Sequence, residues 1–295
     1  MGKLIDKLQQ VGKGGESGMG FMGFGRPRSS GQAPRPMGLL VSLRATDAAQ
    51  AEAAAKNGAD AVIITGWTPN TNVSAVTAAL ASAGTDGNSA PLWGAELGEI
   101  AADANAPLKA ARDAGAGFVI LPTGAPVSML FEKVEQFDRV VTVSQPEDQM
   151  GLLALRAVNM LPAQAAYVRL DLSAAALAQL SVADFAQTVL LAESLRFPLL
   201  ASLAATEALN ASAARTLVQL GIDALVLSGG GLATDALGAT VKATREALEK
   251  TPARETANGS SVSVGGLMGA GAGLAPGTPG IPSPRRQPEP EPDEP

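Results

Sequence analysis

The stretch LLVSLRATDAAQAEAAAKNGADAVIITG, residues 39–66, holds the whole architecture in miniature. An apolar run opens at Leu39, an alanine-rich amphipathic segment follows, then Gly58, then a second apolar run at Ala61. Short, near-continuous apolar runs suit strands covered on both faces, and such strands are parallel and joined by helices. Gly58 stands where the helix must end, and glycine readily takes the left-handed conformation that closes one.

The same unit recurs outward from this stretch. Apolar runs begin at Leu39, Ala61, Pro91, Phe118, Arg139, Ala166, Pro198 and Ala224. Gly115 in DAGAGFVIL and Gly221 in QLGIDALVL occupy the position of Gly58. Ser181 in SVAD reads as a capping box, Ser144 in SQPED precedes proline and acids, and Thr206 and Thr234 read as similar caps. Eight strand–helix units predict an α/β chain folded as a (β/α)8 TIM barrel over residues 39–250. The rival, an open doubly wound sheet, calls for a dinucleotide fingerprint after its first strand. The RATDAAQ found there contains no glycine.

The flanks differ in composition. Residues 1–38 form a basic, Gly/Pro-rich arm with six basic residues against two acidic ones, Asp6 and Glu16. Residues 251–295 form a Gly/Pro-rich tail ending in the acidic RRQPEPEPDEP. Neither carries enough apolar surface to offset its ordering entropy, so a disordered arm and a disordered tail are expected. The exception is a short amphipathic helix from about Lys3 to Val11, with Leu4, Leu8 and Val11 on one face. Three destinations are open to it: docking under the barrel, a membrane surface, or a protein partner. The arm's GMGFMGFGRPR alternates Met and Phe with glycine, which reads either as a plain linker or as an insert for a partner's groove.

Composition narrows the chemistry. A net charge of −6 argues against general nucleic-acid binding. The chain has neither cysteine nor histidine, which removes thiolate chemistry and the commonest general base and metal ligand. It shows no transmembrane run and no signal-peptide core, so a cytoplasmic location is expected.

In a barrel of this kind ligands sit at the carboxyl ends of the strands. Arg169 and Asp171 are two apart in AYVRLDLS and so share a strand face, opposite Val168 and Leu170. Arg44 follows the first strand and Glu96 ends the third. Arg44, Glu96, Arg169 and Asp171 are the candidate catalytic cluster, with a carboxylate as general base beside an anion or carbonyl. The competing reading is an ion network that closes the barrel mouth. Lys56, Lys109, Lys133, Lys242 and Lys250 all fall in predicted helices, against a Schiff-base mechanism, and two carboxylates without imidazole make a poor metal site. After the eighth run, Ser228 is followed by Gly229, Gly230 and Gly231 and then a helix start. These four, with Ser202 after the seventh run, are the candidate phosphate cradle. A tight turn needs one glycine, and three exceed that need.

The phrases NGADAVII and LGIDALVLSGGG resemble the corresponding turns of the phosphate-binding (β/α)8-barrel superfamily, among them FMN-linked and sugar-phosphate barrels. The stretch 39–66 is also similar to the opening of the furan-forming phosphate synthases, whose strand-end lysines do the chemistry; Thr65 and Gly66 stand there instead. The resemblance spans roughly residues 39–248 and implies a small phosphorylated ligand or FMN at the C-terminal face, with lyase, isomerase or oxidoreductase chemistry. The alternative is a catalytically degenerate barrel acting as a scaffold or interaction module, with residues 1–38 contacting a protein partner.

Overall fold

The computed structural model describes residues 3–13, 35–84, 90–98, 105–132, 137–145, 149–170, 172–203 and 207–252. The glycine-rich part of the arm, Lys133, Asp171, Thr206 and the tail from residue 253 lie outside them. The eight predicted strands form one closed parallel ring in chain order, β1 (Gly38–Leu43), β2 (Ala61–Trp67), β3 (Leu92–Leu97), β4 (Phe118–Leu121), β5 (Asp138–Val143), β6 (Ala165–Arg169), β7 (Leu199–Ser202) and β8 (Ala224–Ser228). The α-helices are α1 (Lys3–Lys13), α2 (Ala48–Lys56), α3 (Ser74–Ala83), α4 (Ala106–Asp113), α5 (Ser128–Phe131), α6 (Gln149–Val158), α7 (Ala174–Leu177), α8 (Val182–Ser194), α9 (Ala211–Gln219) and α10 (Thr234–Glu249). The chain is thus a TIM barrel, and the open-sheet rival is excluded.

Register lines spiral around the ring. Ser42 leads through Ile63, Gly94 and Phe118 to Asp138. Thr142, four residues above Asp138, leads through Tyr167, Leu200 and Ala224 to Gly38, four below Ser42. One circuit therefore slips by eight residues, the stagger that tilts the strands of this fold by roughly 36°.

Strand residues alternate between two cores. Outward side chains such as Val41, Ile64, Val119, Val168 and Leu227 pack against the helices. Inward ones, among them Leu40, Ile63, Phe118, Ile120, Tyr167 and Val226, fill the ring. Small residues make room for large ones inside: a Cβ on Gly94 would fall within the Phe118 ring. Because both faces are buried, the strands read as continuous apolar runs.

The helix signals hold with two corrections, the first at α9, which takes its cap not from Thr206 but from Asn210, whose Oδ1 accepts the Ala213 amide at 2.8 Å. Gly58, Gly115 and Gly221 take φ values of 97°, 91° and 82°, closing the helices before β2, β4 and β8. Ser181 caps α8, its Oγ accepting from the Asp184 amide at 3.1 Å and donating to the Asp184 carboxylate at 2.6 Å. Thr234, however, is the first helical residue of α10, and the cap position belongs to Ala233, whose side chain cannot cap.

The N-terminal helix docks beneath the barrel, the first of its three open destinations. Leu4, Ile5 and Leu8 of α1 are buried in the same cluster as the ring's inward side chains. The amides of Leu4 and Ile5 donate to Asp138 Oδ2 at 2.8 and 3.3 Å, so a carboxylate meets the positive end of the helix. A Cβ on Gly38 would lie 2.6 Å from Leu8 Cδ2, so the floor is cut to fit this helix. The Arg35 amide donates to the Val11 carbonyl at 3.2 Å. Arg35, read in the sequence as one of the arm's charges, is buried and holds Asp60 through two bonds of 2.8 and 3.0 Å. Asp60 also accepts the Leu39 amide, and Arg245 of α10 donates to the Gly58 carbonyl at 2.7 Å beside it.

Candidate functional site

Alternation places one further inward residue above the apolar core on each strand. These are Ser42, Thr65, Glu96, Pro122, Thr142, Arg169, Ser202 and Ser228, each two positions beyond an inward neighbour. The interior therefore changes from aliphatic to polar within one residue layer. On the β2–β6 side this layer opens into a cavity of about 810 Å³. Its walls are Thr65–Gly66, Glu96–Gly98, Pro122–Thr123, Thr142–Gln145, Arg169 and, from α8, Gln187.

Of the four residues proposed as a catalytic cluster, the structure brings two together. Arg169 donates through Nη2 to Glu96 Oε1 at 2.7 Å across the mouth. The Arg169 side chain is 70% exposed and that of Glu96 17%. The hydrogen bond to Glu96 is the main cause holding the guanidinium above its ordinary pKa, with Tyr167 adding to it. Arg44 is exposed, lies outside the cavity wall, and follows Ser42 on the β8 side of the ring. Asp171 lies outside the described residues. Among the described residues no three acidic side chains converge as metal ligands.

Tyr167 escaped the sequence reading. It lies one inward position below Arg169, is 5% exposed, and its hydroxyl donates to Ser202 Oγ at 3.0 Å. Glu96, Arg169, Tyr167 and Ser202 thus make a polar chain from β3 through β6 to β7. Two-residue alternation from Arg169 points to Tyr167, and the same count from Val140 points to Thr142. Gln187 had no local signal, because its place depends on how α8 crosses the mouth.

The glycine triplet resolves into three different cases. Gly229 donates to the Ser42 carbonyl at 2.8 Å, and a Cβ there would overlap Leu43 Cδ2. Gly231 takes φ 88°. Gly230 has neither constraint, its nearest prospective neighbour being Ser228 Oγ at 3.9 Å. Packing and turn geometry thus account for two of the three. Among the described residues the amides of Gly230 and Gly231 have no protein acceptor. The triplet lies outside the cavity wall, on the far side of the Tyr167–Ser202 bond.

No protein-family model and no curated protein sequence matches the chain. Solved structures do. Thiamine phosphate pyrophosphorylase from Pyrococcus furiosus is similar with a TM-score of 0.51 at 13% identity, covering 72% of this chain and 96% of that one. A monomeric form of phosphoribosylanthranilate isomerase from Thermotoga maritima gives 0.50 at 12% identity, over 71% and 99%. KGPDC from Streptococcus mutans gives 0.50 at 12% identity, over 72% and 98%. The shared property is the fold. No helix among the described residues is long and apolar enough to cross a membrane.

Proposed function

We propose that this barrel binds a small phosphorylated molecule at its C-terminal face. The phosphate sits on the Gly230 and Gly231 amides with Ser228 and Ser202, near the start of α10. Arg44, two residues past the Ser42 carbonyl that accepts from Gly229, supplies positive charge on that side. The observation that carries the reading is the pair of amides with no acceptor just past the carboxyl end of β8. The names of the pyrophosphorylase and the isomerase each include a phosphorylated compound or group, which supports it.

For turnover, Glu96 is the proton-transfer group. Its carboxyl group lines the cavity beside Arg169. Arg169 then faces the oxygen on which negative charge develops, and proton abstraction next to a carbonyl, as in an isomerase or lyase, is the step this pair suits. Asp171 is a second acid for the same step. The rival, a barrel that serves as a scaffold without turnover, draws on the absence of histidine and on the helical positions of Lys56, Lys109 and Lys242.

Calorimetric titration of the full chain with inorganic phosphate tests the binding site. Gly230→Asp places a negative charge at a position with room for a side chain and ordinary φ. It should weaken phosphate binding at least about tenfold with little change in melting temperature. Equal affinity of the wild type and this variant would remove the cradle.

A further inference from the structure

We infer that the cavity over β2–β6 receives an uncharged, hydroxyl-rich part of the ligand, and that Thr142 and Gln187 select for it. The inference rests on the phosphate reading for where the rest of the ligand lies, but the cavity makes its own case. Among the described residues its one acid and one base, Glu96 and Arg169, are already joined at 2.7 Å. A second anionic group entering there would meet the Glu96 carboxylate, beside a guanidinium whose charge Glu96 already offsets, and so would gain little. A second cation would strand Arg169 beside it.

The remaining polar lining is neutral. Thr65, Thr123, Thr142 and Ser144 bring hydroxyls, and Gln145 and Gln187 bring carboxamides. Each group both donates and accepts, which is the complement of an alcohol rather than of an ion. Glu96 accepts from a hydroxyl and Arg169 donates to its neighbour without either losing the other. The apolar part of the wall is Leu97, Pro122 and Val143, with no aromatic side chain among the described residues. A flat conjugated ring would find no aromatic side chain to stack on among the described residues, and would lay its faces over hydroxyls and carboxamides that only its edge could bond. The volume is ample for a chain or ring of several hydroxylated carbons.

FMN supplies a matched control, because it is ribitol 5-phosphate carrying an isoalloxazine ring. The full chain is titrated with inorganic phosphate, ribitol, ribitol 5-phosphate and FMN, alongside Thr142→Val and Gln187→Leu. Ribitol 5-phosphate should bind at least about tenfold more tightly than phosphate, and FMN no more tightly than ribitol 5-phosphate. Each variant should weaken ribitol 5-phosphate about fivefold, the loss of one hydrogen bond, and leave phosphate binding unchanged. FMN binding tighter than ribitol 5-phosphate would overturn the inference, as would variants that change nothing. If phosphate and ribitol 5-phosphate both fail to bind, the cradle is wrong, and ribitol alone then decides. Ribitol binding that the variants weaken upholds the cavity, and no ribitol binding refutes it. Should Thr142→Val fail to fold, Gln187→Leu, at an exposed position on α8, reads the same effect.

Discussion

Replacing Gly38 by alanine is the sharpest test of how the N-terminal helix is held. The new methyl would lie 2.6 Å from Leu8 Cδ2, where an ordinary contact needs about a further ångström. Gly38 has no positive φ, so the backbone accepts alanine and the whole effect is steric. Overpacking of this kind costs about 1–3 kcal/mol. Leu8→Ala alone removes a buried side chain, with a cost of about 2–3 kcal/mol. In the double variant the methyl added at Gly38 occupies space that Leu8 has left, so the two costs should fall short of their sum by about 1–2 kcal/mol. Urea unfolding followed by tryptophan fluorescence measures all four corners of the cycle, since Trp93 is buried in the barrel wall. Additivity within about 0.5 kcal/mol would mean that α1 does not press on the floor at Gly38, and the docked helix would be refuted.

Burial, opposed by the Leu4 and Ile5 amides, raises the pKa of Asp138 above its ordinary 3.8. A raised folded-state pKa gives stability that is complete below the unfolded value and lost as pH rises through the folded one. Asp138→Asn keeps an acceptor for the helix and cannot ionise, so relative to it the wild type should lose stability as pH rises from the ordinary 3.8 through the raised value; parallel pH profiles would exclude this. Asp60→Ala strands the buried Arg35 guanidinium and should cost about 3–5 kcal/mol in urea unfolding, whereas a value near zero would mean that Arg35 escapes to water. Gly229→Ala should cost about 1–3 kcal/mol through its overlap with Leu43, and Gly230→Ala well under about 1 kcal/mol. Equal melting temperatures for these two would contradict the division of roles within the triplet.

The strands were legible because burial on both faces writes itself as unbroken apolar runs, and the helix ends were legible because only glycine closes them cheaply. Strand parity also carried Arg169 to the rim, and the ends of the apolar runs carried Glu96, Thr65, Ser202 and Ser228 there, since neither needs tertiary information. Thr142 and Tyr167 obey the same parity, and went unread because candidates were sought at the ends of the apolar runs rather than within them. What could not be read was set by distant chain. Arg35 looks like an arm charge until Asp60, 25 residues on, comes to meet it. The docking of α1 depends on Gly38 and Asp138, which lie on strands on opposite sides of the ring. Gly229 looked like a phosphate ligand, but the Leu43 side chain that forbids a Cβ there belongs to the first strand.

The bond between Val11 and Arg35 has a practical consequence. The chain leaves the barrel floor and rejoins it at one point, so extra sequence spliced between those anchors would exert no pull on the strands. A reporter or affinity module grafted there would be tethered at both ends to the floor, on the face away from the mouth.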